Sequence, residues 1–221
     1  MIYDFSRQSE LFNRDDIDAP VTIIGAGATG SWLAMFLAKL GFSDIRIWDF
    51  DTVEEHNIPN QIYGEWQVGE PKVQALEDML NGSTGIQPTI YNQKFENQRL
   101  SGYVFLMVDS MSERKRIWNN AIKLRSQIKL LIEPRMGLEM GRIYTVNPLD
   151  MKHIGLYEQN FYSDDNAEVS ACGTSMTVVT TAAIVASLCA KQLINKINGE
   201  DLDNEILVDL KYNQFYNTKW S

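Results

Sequence analysis

Apolar and polar positions along this chain fall into blocks that repeat a strand, a turn and a helix. Val21 to Ile24 is a short apolar run ending in a turn with Gly25, Gly27 and Gly30. Trp32, Leu33, Phe36, Leu37 and Leu40 then recur at helical spacing, and a second apolar run closes on Asp49. Together these predict a βαβ unit. Farther on, Val73, Leu76, Met79 and Leu80 predict a helix from Lys72 to Leu80, residues 87–91 a short strand, and residues 103–108 an apolar strand ending at Asp109. Ser112 is placed to cap a helix reaching about Gln127, and residues 129–132 form the next strand.

The pattern changes after Gly137. Residues 142–146 are strand-like, 148–169 are polar and irregular, 173–197 form a long helix, and 206–209 and 214–217 resemble closing strands. The alternation predicts an α/β fold: a doubly wound, mostly parallel sheet of Rossmann type with antiparallel closing strands. No repeat or linker divides the chain, so one domain over 1–221 is expected. Within it, 1–19 form an N-terminal arm and about 148–172 a crossover loop, whose irregular length marks it as functional.

The glycine-rich turn carries the first chemistry. Gly25 permits a tight turn, Gly27 allows a phosphate to approach the backbone, and Gly30 lets the helix pack closely. The helix N-terminus supplies unpaired N–H groups and a positive dipole end to an anion. Asp49 is placed to accept hydrogen bonds from ribose hydroxyls.

Composition narrows the class. The 221 residues suffice for one α/β domain, and a net charge of −9 argues against general nucleic-acid binding. Cys172 and Cys189 are the two cysteines, which excludes a disulfide scaffold and a four-cysteine zinc site, and suits a reducing, cytoplasmic setting. No segment has the length and apolarity of a membrane span or a secretory signal. Cys189, amid Ala, Leu and Val, reads as core, His56 as a turn residue and His153 as a loop residue. Arg114, Lys115 and Arg116 open a helix, either as a solvated face or with Arg114 near a phosphate.

Four further elements follow in order: Asp49-Phe50-Asp51, the stretch from His56 to Gln61, Val-Gly-Glu-Pro-Lys ending at Lys72, and residues 108–114 around Asp109. With Arg7 and Gln8 near the start, this order resembles the ThiF/MoeB/HesA family of ubiquitin-activating-enzyme-like adenylyltransferases, over essentially the whole chain. The resemblance implies a nucleotidyltransferase that binds ATP and Mg²⁺. It would join the C-terminal carboxylate of a ubiquitin-like or sulfur-carrier protein to the α-phosphorus, releasing pyrophosphate.

The same resemblance assigns roles by position. Gly25, Gly27, Ala28 and Gly30 would form the phosphate loop, Asp49 would hold the ribose with Asp51 beside it, and Asn57, Asn60 and Gln61 would belong to the nucleotide element. Lys72 would bind phosphates, and Asp109, with Ser110 beside it, would bind Mg²⁺ or orient phosphates. Arg7 would reach the partner's phosphates in a homodimer. Cys172 is a candidate nucleophile for a thioester or persulfide.

Two departures from the family pattern stand out. Asn60 occupies a position where most members carry arginine, and the zinc-binding cysteine pairs are absent, so no zinc is expected. A noncatalytic nucleotide-binding partner of an activating enzyme would explain Asn60, and an NAD-dependent oxidoreductase would explain the glycine loop and Asp49 alone.

Overall fold

The computed structural model describes residues 4–163 and 178–220. Among these residues eight strands form one sheet: β1 (Val21–Ile24), β2 (Ile45–Asp49), β3 (Thr89–Asn92), β4 (Gly102–Leu106), β5 (Ile128–Met136), β6 (Met140–Val146), β7 (Glu205–Asp209) and β8 (Gln214–Thr218). Their spatial order is β3-β2-β1-β4-β5-β6-β7-β8. The strands from β3 to β5 pair in parallel, and those from β5 to β8 pair antiparallel. Every residue of β1 and β4 is buried. That follows from their central place, with helices on both faces, and accounts for their unbroken apolar runs.

Among the described residues five α-helices flank the sheet: α1 (Ala28–Leu40), α2 (Lys72–Thr84), α3 (Met111–Ile117), α4 (Met151–Gln159) and α5 (Val179–Ile197). On one face, α1, α2 and α5 contribute Leu33, Leu37, Leu76, Val185 and Leu193 to a core shared with Ile23, Ile47 and Ile143. On the other, α3, α4 and the turn between α3 and β5 pack Ile117, Trp118, Ile154 and Tyr157 against Val104, Leu106 and Leu131. After β1 the chain moves toward β2, and after β4 it moves the opposite way toward β5. Where the order reverses, the C-terminal ends of β1 and β4 flank a crevice, the usual ligand position in a doubly wound sheet.

Several expectations are corrected. The buried residues of α1 are Thr29, Gly30, Ser31, Leu33, Ala34, Met35, Leu37 and Ala38, whereas Trp32, Phe36 and Leu40 are only partly covered. The helix packs on the sheet alongside α5, which rests on β5 and β6, so small residues form much of its contact surface. Ser110, rather than Ser112, caps α3, accepting the Glu113 N–H at 3.2 Å. That helix stops at Ile117 and widens into a π turn, Trp118–Ile122, which carries Trp118, Ala121 and Ile122 into the core.

The segment expected to be irregular from 148 contains α4. Asp150 caps it by accepting the N–H groups of Lys152 and His153 at 2.8 and 3.2 Å, and Ile154 and Tyr157 anchor it. The first described residue before α5 is Val178, so the expected helical start at 173 and Cys172 itself lie outside the described residues. All five residues of the outermost strand, β8, are exposed. Among the described residues no helix is long and apolar enough to cross a membrane.

Candidate nucleotide site

The crevice is lined first by the glycine-rich turn. Gly25 has φ +102°, and a Cβ there would stand 2.6 Å from the Met107 carbonyl oxygen. A Cβ on Gly30 would overlap the Gly25 carbonyl oxygen, so this glycine serves the approach of helix to loop more than that of helix to sheet. Gly27, the N-cap of α1, faces open space: an added Cβ would meet nothing within 4 Å. The result is a bare helix N-terminus with room for an anion against its backbone.

Asp49 holds this turn in place. Its two carboxylate oxygens accept the Ala26 N–H at 2.6 Å and the Asp51 N–H at 2.8 Å. Burial raises its carboxyl above the ordinary aspartate value, opposed by those two N–H groups and by Lys72. The Tyr63 hydroxyl donates to the Ala26 carbonyl at 2.6 Å from the other side, and burial raises its pKa well above the ordinary tyrosine value, so it remains a donor. The turn is therefore braced through both polar groups of Ala26.

Lys72, the first residue of α2, extends the same frame. Its N–H donates to the Asp51 carbonyl at 2.9 Å, and its Nζ lies 2.9 Å from Asp51 Oδ2. The lysine side chain is 9% exposed and the aspartate 49%, so the cation is sheltered while its partner opens to solvent. Asp51 also offsets the unfavourable placement of a cation at a helix start. Ala26, Asp49, Asp51 and Lys72 thus form one connected chain of hydrogen bonds.

The element from His56 to Gln61 lies against α1. Asn57 is buried, and its Oδ1 accepts the Glu54 N–H at 2.9 Å, closing a short 3₁₀ turn. The Trp32 indole donates to the Asn60 carbonyl at 3.2 Å, and the Ser31 hydroxyl accepts the Ile62 N–H at 3.3 Å. Gln61 N–H returns to the Asn57 carbonyl at 2.9 Å, and His56 is exposed beside Glu54. Asn57 thus has a clear local role in shaping the loop next to the helix.

Asp109 is exposed, three residues beyond β4. The preceding Met107 and Val108 abut Gly25, so β4 delivers Asp109 to the glycine-rich side of the crevice. Ser110 is committed to the α3 cap and lies 2.6 Å from the Ser112 hydroxyl.

Arg7 is brought to a different place. It is exposed, and with Gln8 lines a cavity of about 260 Å³ beside Ala38, Lys39, Ser83 and Thr84, at the C-terminal ends of α1 and α2. Gln8 fixes this arm by donating to the Leu40 carbonyl at 3.0 Å. The 13 residues of α1 span about 20 Å, which separates Arg7 from the phosphate loop of its own chain. Cys189 is fully buried, as expected of a core residue, and burial raises its thiol pKa.

A buried ionic cluster joins β5 to α3 and α4. Arg114 Nη1 donates to Glu133 Oε1, to the Pro134 carbonyl at 3.0 Å and toward the Leu106 carbonyl at 3.5 Å. Arg135 grips Glu133 through Nε, at 3.1 Å from each oxygen, and through Nη2, at 2.9 Å from Oε2. Its Nη1 donates to the Asn160 carbonyl at 2.6 Å, while its guanidinium carbon lies 4.5 Å from the Tyr144 ring centre. The reading of the arginine run as a solvated face fails for Arg114, which is 6% exposed. Local sequence pattern does not single out Glu133 and Arg135; the signal it carries is a pair of charges flanking Pro134 within a largely apolar strand.

The comparisons with known proteins agree with this architecture. A 217-residue match to the Escherichia coli sulfur carrier protein ThiS adenylyltransferase is 26% identical and covers 89% of this chain and 82% of the relative. The E. coli molybdopterin-synthase adenylyltransferase is 35% identical over 89 residues, 40% of this chain and 32% of the relative, so that match spans about a third of the relative's length. Among solved structures, E. coli MccB with ATP superposes at a TM-score of 0.67 and 18% identity, covering 94% of this chain and 65% of that one. The likeness at that identity is one of fold. The model of the ThiF family matches residues 15–221, and the chain is a member of that family.

Proposed function

We propose that this protein is an ATP-dependent adenylyltransferase. It would activate the C-terminal carboxylate of a ubiquitin-like or sulfur-carrier protein as an acyl-adenylate and release pyrophosphate. The observation that carries this reading is the sheltered Lys72, tied through Asp51 and Asp49 to a glycine loop whose Gly27 stands open. A hydride-transfer site has no need of that cation. The relatives' names, two of them adenylyltransferases of molybdopterin synthase and of ThiS, support the same class.

The chemistry suits the side chains present. A carboxylate nucleophile is already ionised, so the site needs alignment and charge screening rather than a general base. Lys72 would exchange part of its pairing with Asp51 for phosphate oxygens, Gly27, Ala28 and Gly30 would offer the helix N-terminus, and Asp49 and Asp51 would face the nucleoside. Asp109 is a hard oxygen donor beside the phosphate loop, and a single carboxylate with phosphate oxygens is a common Mg²⁺ arrangement. Mg²⁺ bound there would supply charge neutralisation during transfer.

Arg7 supports a homodimer by its distance from the loop of its own chain: it would serve the phosphates of a second copy. Cys172 would carry a thioester or persulfide only if the reaction proceeds beyond the adenylate.

The test is thermal stabilisation by MgATP against NAD, followed by ATP–pyrophosphate exchange with a panel of carrier-protein tails. Stabilisation by MgATP that is lost in Asp109→Ala, together with tail-dependent exchange, is expected. Stabilisation by NAD alone would overturn the proposal. Nucleotide binding without exchange for any tail would favour the noncatalytic reading suggested by Asn60. Cys172→Ser should leave exchange intact, and a hydroxylamine-sensitive conjugate in the wild type alone would place a thioester on that residue.

A further inference from the structure

Glu133 is fully buried, and the side chains of Arg114 and Arg135 are only 7% and 10% exposed. Among the described residues every side chain that meets the Glu133 carboxylate is a donor: Arg114, Arg135 and the Tyr157 hydroxyl, which donates at 3.0 Å. Among the described residues, two guanidinium groups around one carboxylate carry a formal charge of +1. As a device for stability such a cluster contributes little, because buried ion pairs can often be replaced by packed apolar groups at no loss.

Its position gives the charge another use. Arg114 reaches the carbonyls of Leu106 and Pro134, so it straddles the C-terminal ends of β4 and β5. The other neighbour of β4 is β1, and the crevice between them lies one strand spacing away, about 4.8 Å. Around that crevice the described residues include Asp49, Asp51, Asp109 and Lys72, a formal charge of about −2 before any phosphate enters, counted at neutral pH.

We propose that the Arg114–Glu133–Arg135 cluster is a buried counter-charge for the nucleotide phosphates, acting through space rather than by contact. The inference rests on the crevice being a nucleotide site, and it adds two residues outside that crevice, Glu133 and Arg135, to the determinants of phosphate affinity. Because a field acts on charge, its influence grows with the number of phosphates and vanishes for the nucleoside.

Calorimetric affinities of the full chain for adenosine, AMP, ADP and ATP test this. Arg135→Met brings the cluster to neutrality and should leave adenosine unchanged while weakening the nucleotides, about three- to tenfold for each phosphate charge. Glu133→Gln raises the cluster to two positive charges and should shift the series oppositely, tightening ATP relative to adenosine. A packing defect cannot produce both signs. Equal changes across the four ligands in either folded variant, or a Glu133→Gln protein without the relative gain for ATP, would overturn the counter-charge. A wild type that binds none of the four would instead overturn the nucleotide site itself, and the counter-charge with it.

Discussion

Replacing Gly27 and Gly30 by alanine separates the two duties of the loop. At Gly30 the new methyl would overlap the Gly25 carbonyl oxygen and stand 3.0 Å from its carbonyl carbon. Both groups are backbone and neither can swing aside. Relief requires α1 to withdraw from the turn, against a helix side buried through Leu33, Leu37 and Ala38. Overpacking of this kind costs about 1–3 kcal/mol, and a chain of this length loses about 2–4 °C of melting temperature per kcal/mol. Gly30→Ala should therefore melt several degrees lower. At Gly27 the methyl meets nothing within 4 Å, so the ligand-free protein should lose only about 0.5–1 kcal/mol, the difference between Gly and Ala at an N-cap. The empty space is, on the present reading, where phosphate oxygens sit. A ligand at 100 times its dissociation constant adds about 2.7 kcal/mol, a shift of about 5–10 °C here. The assay is thermal melting of wild type and both variants with and without MgATP. Gly27→Ala should melt within a few degrees of the wild type without nucleotide and forfeit most of the shift with it. A Gly27→Ala protein that keeps the full shift would refute the placement of phosphates at this helix start.

Other expectations concern neighbouring residues. Lys72→Met should leave stability within about 1 kcal/mol, because Asp51 is half exposed, while cutting ATP–pyrophosphate exchange by several hundredfold or more; a close contact between unit charges is worth about 4 kcal/mol at an effective dielectric of 20. Exchange within tenfold of the wild type would remove Lys72 from the phosphates. Ser110→Ala takes away the α3 cap and should cost about 1 kcal/mol in urea denaturation. Arg116 and Lys94 hold Glu113 below its ordinary value, so this group contributes stability above its unfolded value near pH 4.5 and loses it as pH falls through the lower folded value. Melting between pH 6 and 3 should accordingly fall less steeply in Glu113→Gln than in the wild type.

The parts of the fold legible in the sequence were those governed by local pattern. β1, the glycine turn and Asp49 stand in one continuous stretch whose periodicity and turn chemistry are visible without knowledge of distant residues. The same holds for Lys72 as the first residue of α2 and for the closing strands β7 and β8. What escaped depends on distant partners. Glu133 is tolerable in a buried strand only because Arg114, 19 positions earlier, and Tyr157, 24 positions later, converge on it. Helix α4 hides because Ile154 and Tyr157 alone among its residues are fully buried and it includes Gly155, which leaves a sparse apolar face. The early end of α3 follows from a π turn whose purpose, burying Trp118 beside Tyr157, is invisible before the two elements meet.

The bracing of the turn by Asp49 bears on redesign. In many sheet folds of this type, the acid at the end of the second strand is exchanged to alter the choice between related nucleotides. Here the two oxygens of that acid secure Ala26 and Asp51, and Lys72 hangs from the latter. Asparagine in its place would turn one acceptor into a donor facing an N–H group. Selectivity is therefore not an independently adjustable property at this position: a library built there would return collapsed loops before new preferences, and productive variation should be sought on the exposed neighbour Phe50 instead.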